Sequence, residues 1–243
     1  MAKAAPDGYT FLVSSNSPLV INPGLFRNLP YDAERDFAPV ARGVISPNVF
    51  TAHPSLGAKT LPALVALGKR EPGRVTYASA GPGSSSNLTV KMLEEASGAR
   101  FVHVPYKGAG QAVVGLLRGE SMFMVSDVNT VRPHVESRRV IALATTRRTP
   151  SLPGTPDLAE VGYPAIKSDL SFGVTAPAGT PVVTIRRLWA EITKSMKGPP
   201  LKERLEAQGM IPAFETPEEF GAVLKSERAR YAEIIRRNRI VVE

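Results

Sequence analysis

Between Val75 and Thr145 short apolar runs alternate with amphipathic stretches, and this alternation limits the fold more than any other feature of the chain. Val75–Ala80, Arg100–Val104, Met122–Ser126 and Val140–Thr145 read as strands. A helix fits each interval. The first carries Leu88, Met92, Leu93 and Ala96 on one face and ends at Gly98. The second covers Gly108–Gly119, with Val113, Val114 and Leu117 inward, and the third covers Asn129–Glu136. Strands separated by helices predict a mostly parallel sheet with right-handed crossovers, hence an α/β protein. In such a sheet every strand-to-helix loop leaves at the C-terminal edge of the strands, where ligands bind. A further helix over Leu61–Lys69, capped by Thr60 and closed by Glu71-Pro72-Gly73, precedes the run.

The flanks are less regular. Tyr9–Ser14 reads as a strand behind the turn Pro6-Asp7-Gly8, followed by polar Ser14-Ser15-Asn16-Ser17-Pro18. A loop-rich region extends from Asn22-Pro23 to Tyr31-Asp32. Val40–Thr51 is β-branched but broken by Pro47, which points to an edge strand or a change of direction. Thr146–Asp169, rich in Pro and Gly, reads as a connector, and Leu170–Ala176 as a strand. Two helices are expected to close the chain. One has Thr180 as N-cap and Pro181 at its first position; the other starts with the capping box Thr216-Pro217-Glu218-Glu219.

Composition removes several function classes. With no cysteine in 243 residues, disulfides, thiolate zinc sites, iron–sulfur clusters and a Cys nucleophile are out. His53, His103 and His134 are too isolated for a zinc pattern, and no nucleophile-elbow motif is present. The net charge of +8 favours anionic partners. Nucleic acid is not the reading, because Arg132, Arg138, Arg139, Arg147 and Arg148 lack aromatic interleaving and a binding motif. No apolar run approaches the roughly 18–20 residues of a membrane span. The N-terminus has a lysine but no apolar stretch before Pro6, so it is no signal peptide; taken at its start, the chain is expected to be cytoplasmic.

The most pointed local signal is Gly81-Pro82-Gly83-Ser84-Ser85-Ser86, between a strand and a helix. Backbone N–H groups and hydroxyls at a helix N-terminus suit an anion. It is neither the dinucleotide fingerprint nor a P-loop, and a plain serine-capped turn is the competing reading. Tyr106-Lys107-Gly108 and Ser126-Asp127 lie on the next two loops. Ser14, Ser15, Ala80, Gly81, Gly83, Ser84, Ser85, Tyr106, Lys107, Gly108, Ser126 and Asp127 are therefore the candidate ligand-binding residues, with the anion nearest the Gly83–Ser85 amides. No catalysis, cofactor or metal is expected.

An ordered set of motifs then resembles a known family. It comprises Pro6-Asp7-Gly8-Tyr9-Thr10, Ile21-Asn22-Pro23, Leu29-Pro30-Tyr31-Asp32, Asp36-Phe37-Ala38-Pro39-Val40 and Ser79-Ala80-Gly81 with Gly83-Ser84. It continues with His103-Val104-Pro105-Tyr106-Lys107-Gly108, Leu152-Pro153 with Thr155-Pro156, Ala176-Pro177-Ala178-Gly179-Thr180-Pro181 and Thr216-Pro217-Glu218-Glu219-Phe220. Together these resemble the tripartite tricarboxylate transporter substrate-binding receptors of the Bug type. The resemblance implies a two-lobed, periplasmic-binding-protein-like (type II) α/β fold with two inter-lobe crossings. The lobes would be 1–46 with 173–243, and 47–172. It implies a monomeric periplasmic receptor that holds a small carboxylate in the cleft and serves membrane components of a tripartite tricarboxylate-type transporter. Members usually begin with a signal peptide and one further βα unit, so the first βα unit is expected to be missing here. Asn87 stands where a histidine is common, Ser126-Asp127 replaces the usual Asp-Asn, and Ser171 replaces a frequent aromatic. The effector domain of a transcription regulator and a non-functional receptor fragment are the alternatives.

Overall fold

A computed structural model describes residues 1–241. The chain divides into two compact units, Met1–Ile45 with Leu170–Glu243, and Ser46–Asp169. It passes from the first to the second once and returns once.

The second unit is built on a five-stranded sheet of β3 (Asn48–Ala52), β4 (Thr76–Ser79), β5 (Val102–Pro105), β6 (Phe123–Asp127) and β7 (Ile141–Thr145), in the order β5-β4-β6-β3-β7. β4 pairs in parallel with both β5 and β6. β3 runs antiparallel between β6 and β7, so four strands share one direction around a single opposed strand. Helices α3 (Leu61–Arg70), α4 (Ser85–Ser97), α5 (Ala109–Leu117) and α6 (Val128–Glu136) cover both faces. Period-two alternation sorts the core. Tyr77 and Phe123 face α3 and α4 with Phe101; Ala78 and Met124 face α5 and α6 with Val113, Leu116, Val128 and Val131. Each helix starts where its sequence supplies a cap. The Thr60 Oγ1 accepts from Ala63 N at 3.3 Å before α3, and the Ser84 Oγ from Asn87 N at 3.4 Å before α4. Gly98, at φ 75°, lets the chain leave α4 in the left-handed conformation.

The first unit holds a four-stranded sheet of β1 (Leu12–Ser15), β2 (Phe37–Ser46), β8 (Leu170–Pro177) and β9 (Ile211–Pro212), ordered β1-β8-β2-β9. Val40, Ala41 and Ala176 form a buried cluster against which Ile185, Leu188, Trp189 and Ile192 of α7 (Val182–Lys197) pack. The long α9 (Pro217–Arg237) packs on the short helices α1 (Ser17–Val20) and α2 (Asn22–Leu25). Its capping box is formed as expected: Thr216 Oγ1 accepts from Glu219 N, and the Glu219 carboxylate from Thr216 N.

Four expectations are corrected. The segment Val40–Thr51 is two strands rather than one; neither is an edge, since β2 lies between β8 and β9 and β3 between β6 and β7, and the expected break at Pro47 is where the chain passes from one sheet to the other. Pro47 sits at the seam between them, where no ladder donor is needed. The loop-rich region contains α1 and α2. A third C-terminal helix, α8 (Pro199–Ala207), follows α7, started by the Pro199-Pro200 pair, which suits a first turn but reads as a break. Thr180 does not cap α7; its hydroxyl donates back to the Pro177 carbonyl at 2.8 Å, and the helix starts after Pro181.

A buried polar cluster ties α9 to the first sheet. Glu227, 8 % exposed, accepts from Asn16 Nδ2 at 2.8 Å and lies 3.7 Å from the Arg42 guanidinium, itself 7 % exposed. Arg42 also meets Glu215 at 3.2 Å. Removing one partner of a buried pair leaves the other charge stranded, at a cost of about 3 kcal/mol or more. Glu227→Leu should therefore lower urea-unfolding stability by about 3 kcal/mol. An unchanged midpoint would show that the Glu215 contact alone satisfies Arg42.

Candidate functional site

Because β4, β5 and β6 are parallel, their following loops leave one edge of the second sheet. Ten candidates lie there. Ala80, Gly81, Gly83, Ser84 and Ser85 join β4 to α4; Tyr106, Lys107 and Gly108 join β5 to α5; Ser126 and Asp127 end β6. The first two loops are bonded to each other: Tyr106 N donates to Ser79 O at 3.0 Å, and Gly108 N to Ala80 O at 3.3 Å. Ser14 and Ser15 belong to the first unit, at the end of β1 opposite Gly173 and Phe172.

The Gly81–Ser86 turn consumes most of its own donors. Ala80 N donates to Ser86 Oγ at 3.2 Å, Gly81 N to Ser79 Oγ at 3.1 Å, Gly83 N to Asn87 Oδ1 at 3.1 Å and Ser84 N to Gly81 O at 3.2 Å. The Ser84 hydroxyl donates to Gly81 O at 2.6 Å. Among the described residues, only the Ser85 and Ser86 amides of this helix start have no partner in the fold. Two of the three amides expected to meet an anion, those of Gly83 and Ser84, are thus already engaged. The Asn87 carboxamide, reaching back over four residues to Gly83, was the part that spacing alone did not reveal.

The other two helix starts differ from each other. Gly108, at φ 104°, offers no side chain, so the first amides of α5 lack a side-chain cap. Asp127 caps α6, accepting from Thr130 N at 3.2 Å and from Thr130 Oγ1 at 2.6 Å. Its charge already compensates that helix end and repels a second anion there. Lys107 is exposed, and among the described residues no carboxylate pairs with it. The Tyr106 phenol is turned to α5 and Glu120. Its ring lies against Gly115 of α5, where a Cβ would collide with it, and its hydroxyl donates to Glu120 at 3.1 Å. Burial and the Glu120 carboxylate push that phenol up from its ordinary value.

Sequence reading missed the layer beneath the turn. His103 stacks on Tyr77 with centroids 4.9 Å apart, and its Nε2 lies 2.5 Å from Ser79 Oγ. The buried Tyr77 hydroxyl accepts from Asn87 Nδ2 at 2.8 Å, and burial pushes Tyr77 well up. Among the described residues, no group of three or more His, Cys, Asp or Glu side chains is placed to hold a metal ion.

The second of the two α/β units thus presents three helix starts at the common edge of its parallel strands. The model of the tripartite tricarboxylate transporter family receptors matches residues 1–240, and the chain belongs to that family of solute-binding receptors. BugT of Bordetella pertussis is 34 % identical over 238 residues, which is 97 % of this chain and 73 % of the relative. The solved structure of R. palustris Rpa4515 with adipate is 25 % identical at a TM-score of 0.88, covering 99 % of this chain and 81 % of that one. MatC (Rpa3494) from Rhodopseudomonas palustris with bound malate is 26 % identical at a TM-score of 0.82, covering 96 % and 81 %. Solved relatives are described as periplasmic, and the periplasmic-binding-protein-like α/β fold that the resemblance implied is the one they share.

The capping geometry of Asp127 separates a structural role from ligand contact. Asp127→Ala should cost about 1 kcal/mol in thermal or urea unfolding, while Asp127→Asn, which still caps, should cost only a few tenths. Equal losses for the two variants would contradict a capping role.

Proposed function

We propose that this chain captures a small organic carboxylate at the rim formed by the loops after β4, β5 and β6. It would work in the periplasm as a single chain and hand its ligand to the membrane components of a tripartite tricarboxylate-type transporter. One observation carries the reading: two helix starts at this rim, at Ser85–Ser86 and at Ala109–Gln111, keep amides without side-chain caps, and the unpaired Lys107 leads into the second. Amides at a helix start and a nearby ammonium both favour a carboxylate over water. Rpa4515 and MatC hold adipate and malate, which are dicarboxylates, and this supports the ligand class. Gly81, Gly83, Ser84 and Gly108 shape the loops, Ala80 anchors one to the other, and Tyr106 supplies backbone. Ser126 closes the strand end beside Asp127. Ser14 and Ser15 lie on the other unit, at the end of β1.

Ser85 offers a clean test. It is the first residue of α4, where proline is tolerated, and Ser84 before it is extended at φ −62°, ψ 157°, as a residue before proline must be. Ser85→Pro therefore deletes one free amide without breaking a bond of the fold. Calorimetry with adipate and with malate should show binding to the wild type and a loss of roughly tenfold to hundredfold in the variant, the worth of a hydrogen bond to a charged group. Lys107→Ala should weaken binding less, and more so at low salt. Unchanged affinity in Ser85→Pro, at an unchanged melting temperature, would move the carboxylate away from α4.

A further inference from the structure

The turn that carries the free amides is held from below by two stacked rings. Tyr77 and His103 are direct partners in the β4–β5 ladder, so their side chains stand on the same face. Each reaches one part of the turn through a single intermediary. Tyr77 holds Asn87, whose Oδ1 takes the Gly83 amide; His103 meets Ser79, whose Oγ takes the Gly81 amide. Three further donors stay within the turn: Ser86 Oγ takes the Ala80 amide, and the Gly81 carbonyl takes the Ser84 amide and hydroxyl. We propose that Ser79, His103, Tyr77 and Asn87 are positioning residues that lock the Gly81–Ser86 turn in the one arrangement leaving the Ser85 and Ser86 amides free for a carboxylate. The proposal rests on the ligand reading above for its purpose, though the locking itself is a property of the unliganded chain.

Ser79 is the hinge pin because its hydroxyl has one proton and two neighbours to receive it. It can donate to an imidazole that accepts at Nε2, 2.5 Å away, or to the Gly81 carbonyl at 3.1 Å, while its lone pairs keep the Gly81 N–H. A protonated imidazole donates at Nε2, and the Ser79 proton must then turn to Gly81 O. With the neutral ring carrying its proton at Nδ1, the charge state of His103 is written into both hydrogen-bonding groups of Gly81. The groups facing His103 are Tyr77 and Ser79 on β4 and Lys91 and Glu94 on α4. Burial, then Lys91, hold the imidazole below its ordinary value, while Glu94, bonded to Lys91 at 2.7 Å, pulls the other way.

Two measurements on the full chain test this. In nitrogen–proton spectra of the unliganded protein, the Gly81 amide should shift with the same midpoint as the His103 ring, and Ser79→Ala should abolish that coupling. In adipate calorimetry, Ser79→Ala should bind at least tenfold more weakly, while Ser79→Thr, which keeps the hydroxyl, should stay within threefold of wild type. His103→Gln should remove the inflection in adipate affinity that the wild type shows across the His103 titration. A Gly81 resonance indifferent to His103, or Ser79→Ala binding within twofold of wild type, would overturn the proposal. If the wild type binds neither adipate nor malate, the ligand reading fails by itself, and the Gly81–His103 coupling still decides whether the turn is locked as described.

Discussion

The register of the β4–β5 ladder is the constraint on which the site depends. Tyr77 opposes His103, Ala78 opposes Val104 and Ser79 opposes Pro105. A shift by one residue would send Tyr77 and His103 to opposite faces, because side chains alternate along a strand. It would also carry Ser79 away from the imidazole and separate the two loops now bonded through Ser79 O and Ala80 O. Burial fixes the register. Tyr77, Phe101 and Phe123 fill the face toward α3 and α4, while Ala78 and Met124 fill the other. The apolar core thus sets the alignment of the polar groups at the strand ends, although none of those polar groups contributes much to the core.

This division explains what could be read from the sequence. The Val75–Thr145 alternation gave the strands, the helices and the common edge of their loops, because periodicity and capping are local signals. Thr60, Ser84, Gly98 and the Thr216–Glu219 box all terminate helices as their types dictate. The antiparallel β3, inserted between β6 and β7, was not legible. It joins the sheet from outside the alternating run, and pairing partners depend on contacts far apart in sequence. The fate of each loop donor was hidden for the same reason. Ser84 and Ser85 are equivalent as letters, yet one amide is bound to Gly81 O and the other has no partner in the fold. Asp127, one of the candidate ligand residues, caps α6 through Thr130 three residues later, a bond the candidate list did not anticipate.

Both units hold a candidate loop by a buried polar side chain placed just beyond it. In the second, Asn87 takes the Gly83 amide and gives its own protons to Tyr77. In the first, Asn16 follows Ser14 and Ser15, donates its amide N–H to Ser171 O at 2.8 Å and its side chain to Glu227. A carboxamide suits the task because it both donates and accepts, so it can join a backbone group to a buried side chain without an unpaired charge. Holding a loop this way reduces the ordering it must undergo when a ligand arrives, and that ordering is a main cost of association.

The donors that remain set the kind of selectivity such a rim can have. Backbone amides at a helix start recognise charge and the position of an oxygen, and they read little else of the molecule attached to it. Lys107 adds a flexible point charge rather than the planar fork an arginine would supply, so it too constrains geometry weakly. Preference for one carboxylate over another must then come from side chains that touch the rest of the ligand. The scaffold, with the turn's donors bonded within the fold, can stay the same while those side chains vary. Under the proposed function, a rim of this kind would fix the anionic head group and leave the remainder of the ligand to be specified separately. That separation is consistent with adipate and malate, which differ in length and in hydroxylation, both being found in relatives of the same fold.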